Sequence, residues 1–284
     1  KDKHSLFIFV NFASMEFRTI VNIPHPTFEL EPCERILFVG SCFADNIGKR
    51  FEEEKFRAVV NPFGVMYNPV SVLHTARKMA GTPFDTAVFT LGTNHVYVER
   101  AIGEIVDNCQ KRPQREFEER ELTIDECADA LREAISLLRT SNPRLRVIVT
   151  VSPIRYAKYG YHESQLSKAV LLLAADKLTK EASGEVYYFP AYEIVNDELR
   201  DYRFYKADML HPNEQAVAYI WEQLVATCFS ATAKQFLKEW RPIKEALAHR
   251  PFHPEAASYQ EFLKKTKEAA RLLKQKYPNL ELKE

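Results

Sequence analysis

Two nucleophilic side chains stand next to each other at Ser41 and Cys42, directly after Gly40. They follow the compact apolar run 35–40, which is typical of a buried parallel strand. A nucleophile at a strand-to-helix turn has helix-end amides beside it, and these amides lower the pKa of a thiol and bind an oxyanion. The turn therefore offers a hydroxyl and a thiol as candidate nucleophiles, although a Gly-Ser-Cys sequence by itself is more often only a turn.

A histidine that can act as a general base follows an aspartate by three residues, at Asp208 and His211. In this arrangement His211 takes the proton of the nucleophile, and Asp208 holds the imidazole in the required tautomer. The same Asp-x-x-His-Pro pattern also occurs at helix N-termini, with the aspartate as cap and the proline in the first turn.

Glycine and polar residues after further predicted strands are candidates for binding an oxyanion or a substrate. The side chain of Asn94 and the backbone N–H of Gly64 supply two hydrogen-bond donors, and Gly92 and His95 flank the asparagine in the segment Gly-Thr-Asn-His. Arg155 follows the fourth predicted strand and can contact an anionic group, although a structural ion pair is the commoner role for such an arginine.

Strands and helices alternate up to about residue 230, which predicts βαβ units and a mostly parallel sheet with helices on both faces. The predicted strands span 35–40, 56–60, 85–91, 146–151 and 186–189, with a hairpin over 96–108. The predicted helices span 45–55, 69–80, 125–140, 165–181, 212–228, 232–247 and 255–276. Ligands of open parallel sheets bind at the carboxyl ends of the strands, which is where the candidate residues fall.

The predicted fold is a three-layer α/β sandwich with about five parallel strands, followed by a helical C-terminal extension. We expect three divisions of the chain: a leader or non-native segment at 1–14, the α/β domain at 15–230 and the helical extension at 231–284.

The order of the motifs resembles that of SGNH hydrolases, whose pattern is Gly-Asp-Ser after the first strand, Gly after the second, Gly-x-Asn-Asp after the third and Asp-x-x-His near the end. More narrowly, the chain resembles the GSCFA family, named for the string at 40–44. That resemblance runs from about residue 17 into the tail and includes Asn61-Pro-Phe-Gly64 and Asp201-Tyr-Arg-Phe-Tyr205. The resemblance implies an SGNH-hydrolase, flavodoxin-like fold and a hydrolase site. It says less about which reaction the site catalyses.

The nucleophile turn departs from the SGNH pattern. Aligning Gly40 with the glycine of Gly-Asp-Ser puts Cys42 at the nucleophile position, so we favour a thiol nucleophile and keep Ser41 as the alternative. His95 stands where the pattern has aspartate, and it either lines the pocket or is a satisfied surface or core histidine.

The resulting hypothesis is a hydrolase of ester bonds that acts on an acyl or O-acetyl ester of a small molecule or glycan. It uses Cys42 or Ser41 with His211 and Asp208, and it needs no metal ion or organic cofactor. The alternatives are a non-catalytic carbohydrate- or partner-binding module and an acyltransferase on the same fold.

The composition argues against several other classes of protein. Lys+Arg and Asp+Glu both number 39, and a net charge of zero disfavours nucleic acid or a membrane surface as partner. No apolar run approaches the roughly 20 residues of a membrane span. The five cysteines form no CxxC pair and favour a reducing, cytoplasmic location. The apolar stretch 6–10 is the alternative indication, since it resembles a weak secretion signal and would imply export.

Overall fold

The structure, a computed structural model, describes residues 18–182 and 184–282. The leader segment predicted at 1–14 lies outside the described residues. In chain order the strands are β1 (Arg35–Gly40), β2 (Arg57–Val60), β3 (Thr86–Leu91), β4 (His95–Glu99), β5 (Glu104–Val106), β6 (Phe117–Glu121), β7 (Arg146–Val151) and β8 (Val186–Tyr188). The helices are α1 (Cys42–Glu53), α2 (Pro69–Met79), α3 (Ile124–Arg139), α4 (Tyr161–Glu181), α5 (Ala191–Glu193), α6 (Glu214–Cys228), α7 (Ala231–Ala248) and α8 (Ala257–Lys276).

Five parallel strands form the central sheet in the order β2-β1-β3-β7-β8. Successive side chains of a strand point to opposite faces, so the sheet has two cores. In β1, Leu37 and Val39 pack with α2, α3 and α4, whereas Ile36 and Phe38 pack with α1 and α6 on the other face. The prediction of a three-layer α/β sandwich with five parallel strands is confirmed.

A small antiparallel sheet, in the order β5-β4-β6, follows β3 and stands beside the central sheet. Strands β4 and β5 form the predicted hairpin. Strand β6 was not predicted, because its sequence Phe-Glu-Glu-Arg-Glu has four charged residues and no apolar alternation. It pairs with β4 along its length and leaves most of its side chains exposed.

The C-terminal residues form the predicted helical extension. Helices α7 and α8 pack against each other through a separate cluster that includes Phe236, Trp240 and Leu273. The Trp240 indole also donates a hydrogen bond to Glu53 O at 3.1 Å, which ties α7 to the end of α1. The division of the chain at residue 230 into two domains stays a prediction.

Among the described residues, no helix combines the length and the apolar character that crossing a membrane requires.

Candidate active site

A cavity of about 470 Å³ lies where the strands of the central sheet end. It is bordered by the segments that follow β1, β3 and β7, by the small antiparallel sheet, and by the turn that precedes α6. The residues at the cavity with side chains of chemical interest are Ser41, Cys42, Tyr67, His95, Arg155, Tyr156 and His211. The predicted nucleophile turn and the predicted histidine, which are far apart in the chain, therefore border the same cavity.

Ser41 and Cys42 differ in what surrounds their side chains, although both contribute to the cavity lining. Ser41 is fully buried and caps α1, with its Oγ accepting from Phe43 N at 3.2 Å and lying 3.3 Å from Thr90 Oγ1. Cys42 is only half-buried, and its Sγ lies 3.9 Å from the Tyr67 hydroxyl oxygen. The serine hydroxyl is thus engaged in the helix cap, and the thiol is the more accessible nucleophile.

The N-terminus of α1 adds a hydrogen-bond donor beside the thiol. The predicted helix 45–55 begins too late, because α1 starts at Cys42 and the thiol lies in its first turn. In the described part of the chain, no acceptor occupies the backbone N–H of Cys42. Unpaired amides at a helix N-terminus carry the positive end of the helix dipole, which favours a thiolate and an oxyanion.

The Asp208 and His211 side chains are hydrogen-bonded to each other, with Nδ1 of the histidine 2.7 Å from Oδ2 of the aspartate. The other carboxylate oxygen accepts from His211 N at 3.0 Å and from Leu210 N at 2.9 Å. The two backbone hydrogen bonds, with the imidazole, lower the pKa of Asp208 to about 2. Asp208 is therefore ionised at neutral pH and orients the ring, and because Nδ1 is engaged, Nε2 is the nitrogen available to take up a proton.

Three glycine and asparagine residues predicted at the site do not border the cavity. The N–H of Gly64 donates to Asn61 O at 2.8 Å within its own turn. The side chain of Asn94 is buried, and its amide donates to Leu122 O at 2.9 Å. Gly92 is likewise engaged in backbone hydrogen bonds after β3. Each of the three residues therefore has a donor engaged within the protein, although Gly92 lies against the turn, where a Cβ built on it would be 3.5 Å from the Cβ of Ser41.

His95 and Arg155 do border the cavity. The ring of His95 stacks on Tyr159, with centroids 3.9 Å apart and planes 9° apart, and burial lowers the pKa of the imidazole. Arg155 donates from Nη1 to Met209 O at 3.0 Å, within the turn that carries His211. The histidine is therefore part of an aromatic wall, and the half-buried arginine binds the histidine turn at the edge of the cavity.

Sequence comparison decides the family. The model of the GSCFA family matches residues 35–87 and 79–224, and these matches include the nucleophile turn and both members of the Asp208–His211 pair. The chain belongs to the GSCFA family. A second model, described as the C-terminal domain of the GSCFA domain protein, matches residues 240–284 and so covers most of the helical extension of this GSCFA chain. No protein with curated annotation matches the sequence.

Solved structures similar to this GSCFA chain are distant in sequence. A carbohydrate esterase family 3 protein from Talaromyces cellulolyticus is 13% identical, with 72% of this chain and 98% of that chain covered and a TM-score of 0.41. An acetyl-xylooligosaccharide esterase from Geobacillus Stearmophilus is also 13% identical, with 72% and 98% covered and a TM-score of 0.43. The order and direction of the strands, rather than these likenesses, define the fold of the GSCFA chain.

Two tyrosines at the cavity of this GSCFA chain were not predicted from the sequence. Tyr67 precedes α2, and its hydroxyl oxygen lies 3.9 Å from Cys42 Sγ; burial together with that thiol raises the pKa of Tyr67 to about 12. Its ring packs edge-on against Tyr156, with centroids 5.8 Å apart. An aromatic residue in a loop after a strand is only a weak signal, so sequence patterns alone do not single out either residue.

A buried lysine binds the segments that follow two strands of the central sheet. Lys168 of α4 is 2% exposed and donates from Nζ to Gly92 O at 2.6 Å and to Ser152 O at 2.8 Å. These two carbonyls belong to the segments that follow β3 and β7, so the ammonium group joins the two strand ends. Burial without a counter-charge lowers the pKa of Lys168 to about 7.

The five cysteines are free thiols and fall into two groups. Burial raises the pKa of three thiols to about 12, which keeps them protonated and unreactive; these are Cys33, Cys127 and Cys228. Cys42 and Cys109 are half-buried and both border the cavity. Of these two, Cys42 is the one at a helix N-terminus.

Proposed function

We propose that this GSCFA protein hydrolyses an acyl ester of a small molecule or glycan, with Cys42 as nucleophile and His211 as general base. The observation that carries the proposal is the accessible thiol at the N-terminus of α1, which borders the same cavity as a histidine oriented by Asp208. Nucleophile, base and orienting carboxylate are the three parts that covalent acyl transfer needs.

The proposed reaction has two half-steps. In the first, Nε2 of His211 takes the proton of the thiol, and Sγ of Cys42 attacks the ester carbonyl carbon. The tetrahedral intermediate collapses to a thioester, and the alcohol leaves with the proton from the imidazolium. In the second, a water molecule loses a proton to the imidazole and attacks the thioester, which releases the carboxylic acid and returns the proton to Sγ.

The oxyanion is assigned to donors other than those expected from the family pattern. The N–H of Cys42, for which no described residue is an acceptor, and the hydroxyl of Tyr67 lie beside the sulfur, whereas the donors of Gly64 and Asn94 are engaged elsewhere. A phenol whose pKa is raised stays protonated at neutral pH and keeps its proton to donate.

The cavity suits a small organic substrate. Its volume lies within the range of about 300–1,000 Å³ that is usual for ligand pockets. Tyrosine rings form much of its wall, and a few polar groups stand among them, such as Asp107 and Lys158. Aromatic walls with a small number of polar groups are the usual lining of small-molecule sites.

The test is a panel of aryl acyl esters, acetylated sugars and thioesters offered to the wild type and to the variants Cys42→Ala, Ser41→Ala and His211→Ala. We expect Cys42→Ala and His211→Ala to lose activity about 10³-fold or more, as nucleophile and base variants do. We expect Ser41→Ala to keep the chemistry but to lower the free energy of unfolding by about 1 kcal/mol, because it removes a helix cap.

Two outcomes would overturn the proposal. Full activity of Cys42→Ala with loss in Ser41→Ala would assign the nucleophile to the serine. Absence of activity towards the whole panel, with a folded wild-type protein, would favour a binding module on the same fold.

A further inference from the structure

We propose that Arg155 is a positioning residue that holds the turn carrying His211, and that it does not bind the substrate. The proposal rests on the assignment of His211 as general base in the proposed function. It changes the expectation from the sequence, in which Arg155 was a candidate for contacting an anionic group.

The contacts of Arg155 are with the two residues between Asp208 and His211. Its guanidinium Nη1 donates to Met209 O at 3.0 Å, and its backbone N–H donates to Leu210 O at 3.0 Å. The Asp208 carboxylate accepts from the N–H groups of Leu210 and His211 in the same turn. Asp208 therefore binds N–H groups of the turn, and Arg155 binds its carbonyl groups. The side chain and the main chain of one arginine thus hold consecutive carbonyls of the histidine turn.

The turn has a conformation that needs such support. Met209 has a φ of +58°, in the left-handed region that residues with a Cβ rarely adopt. Its carbonyl oxygen is the one that accepts from the guanidinium of Arg155. Strained residues of this kind persist when surrounding groups hold them, and the guanidinium is one of those groups.

The guanidinium is itself held in place by aromatic rings. Its Cζ lies 4.2 Å from the ring centroid of Tyr161, 5.6 Å from that of Tyr205 and 5.9 Å from that of Tyr202. Within residues 18–182 and 184–282, no carboxylate lies within 4.0 Å of it. A planar cation that stacks on rings and binds a carbonyl is a role that Arg fills and Lys does not.

The backbone of Arg155 is held by the central sheet. The residue follows β7 in a segment whose Ser152 N donates to Leu91 O at 2.8 Å and whose Ile154 is buried. The histidine turn, in contrast, lies in an exposed loop. Arg155 therefore connects the histidine turn to the central sheet. Without the arginine side chain, we expect His211 to move relative to Cys42.

The first experiment measures amide hydrogen exchange at Leu210 and His211 by NMR in the wild type, Arg155→Gln, Arg155→Lys and Arg203→Gln. We expect exchange at both amides to be about tenfold faster in Arg155→Gln, because the loss of one hydrogen bond frees the turn. Arg155→Lys is expected to recover only part of the protection, since it keeps the charge but not the planar fork.

Arg203→Gln is the matched control. This arginine lies near the same turn, and its side chain is 73% exposed and paired with Asp201 at 3.8 Å. The variant removes the same charge without touching the carbonyls of Met209 and Leu210, so exchange should match the wild type. Unchanged exchange in a folded Arg155→Gln would overturn the proposal. If the glutamine variant does not fold, unchanged exchange in Arg155→Lys would overturn it instead.

Amide exchange does not depend on any enzymatic activity. The exchange experiment can therefore contradict the role of Arg155 without bearing on the proposed function, and the activity panel can contradict the proposed function separately. Where a substrate is found, we expect Arg155→Gln to lower kcat about 10- to 100-fold with KM nearly unchanged, as misplacement of a catalytic group does. A raised KM with unchanged kcat would instead make Arg155 a substrate-binding residue and overturn the proposal.

Discussion

The two sides of the cavity are built in different ways. The side that carries the proposed nucleophile is part of the central sheet: Ser41 is fully buried, its N–H donates to Thr90 O at 3.0 Å, and α1 begins at the next residue. The base side is an exposed loop, in which the side chains of His211 and Asp208 are 33% and 43% exposed. Burial against the central sheet therefore positions the proposed nucleophile, whereas a few hydrogen bonds position the proposed base.

The largest effect is expected from breaking the sheet-built side at Gly40. This residue has a φ of +150°, and a Cβ added there would overlap the carbonyl and hydroxyl oxygens of Thr90. We expect Gly40→Ala to lower the free energy of unfolding by about 2–5 kcal/mol, from backbone strain and overpacking together. Urea unfolding measures this change.

Gly81→Ala is the control for that prediction, since a Cβ at Gly81 meets nothing within 4 Å. It should change the free energy of unfolding by no more than about 0.5 kcal/mol. Equal stability of Gly40→Ala and Gly81→Ala would mean that the nucleophile turn is not constrained by the sheet.

A smaller, pH-dependent effect is expected from Lys168, which joins the strand ends on the same side. Its pKa is lowered to about 7 in the folded chain, against an ordinary value near 10.5. Between these values the unfolded chain binds a proton that the folded chain does not, so this contribution to stability rises with pH. Urea unfolding at pH 7 and pH 9.5 should show the wild type gaining about 3 kcal/mol relative to Lys168→Met.

Lys168→Met removes the titrating group. The pH dependence of all other ionisable groups therefore cancels in the difference in unfolding free energy between the wild type and the variant. A difference between wild type and variant that stays constant from pH 7 to pH 9.5 would show that the lysine is charged in the folded protein throughout.

The smallest effect on stability is expected on the loop side, at Asp208. Its folded pKa of about 2 lies below the ordinary value, so its contribution to stability is present above about pH 4 and is lost as pH falls towards 2. Because the carboxylate is exposed, we expect Asp208→Asn to leave urea unfolding at pH 7 almost unchanged while lowering activity.

The pKa itself is measured by following the Asp208 carboxyl carbon in an NMR titration. A midpoint near the ordinary value of about 3.9 would contradict the tight hydrogen bonding of the loop. A large loss of stability in Asp208→Asn would remove the contrast between the two sides of the cavity.

Sequence periodicity predicted the strands of the central sheet closely, because a buried parallel strand is a continuous apolar run in its own residues. Several other elements were predicted less well, and helix α4, for example, begins at Tyr161, four residues before its predicted start. Strand β6 has a charged sequence and exists because β4 provides a partner. Helix α1 begins at Cys42, where the Ser41 hydroxyl caps it, rather than at the later start that its apolar spacing predicts.

Within the candidate site, only contacts between residues close in the chain could be predicted from the sequence. Asp208 and His211 are three residues apart, so their pairing follows from local chain geometry. The engagement of Asn94 with Leu122, and of Arg155 with Met209, depends on segments that only the folded chain brings together.

The fold class, the GSCFA motif and the spacing of the Asp-x-x-His pair could be recognised in the sequence, because they depend on residues that are close in the chain. The burial of the Ser41 hydroxyl in a helix cap and the accessibility of the Cys42 thiol at the cavity became apparent only in the folded chain. The two side chains are adjacent in sequence, and both belong to residue types that act as nucleophiles. Their difference comes from packing against Thr90 and Tyr67, which belong to other segments of the chain.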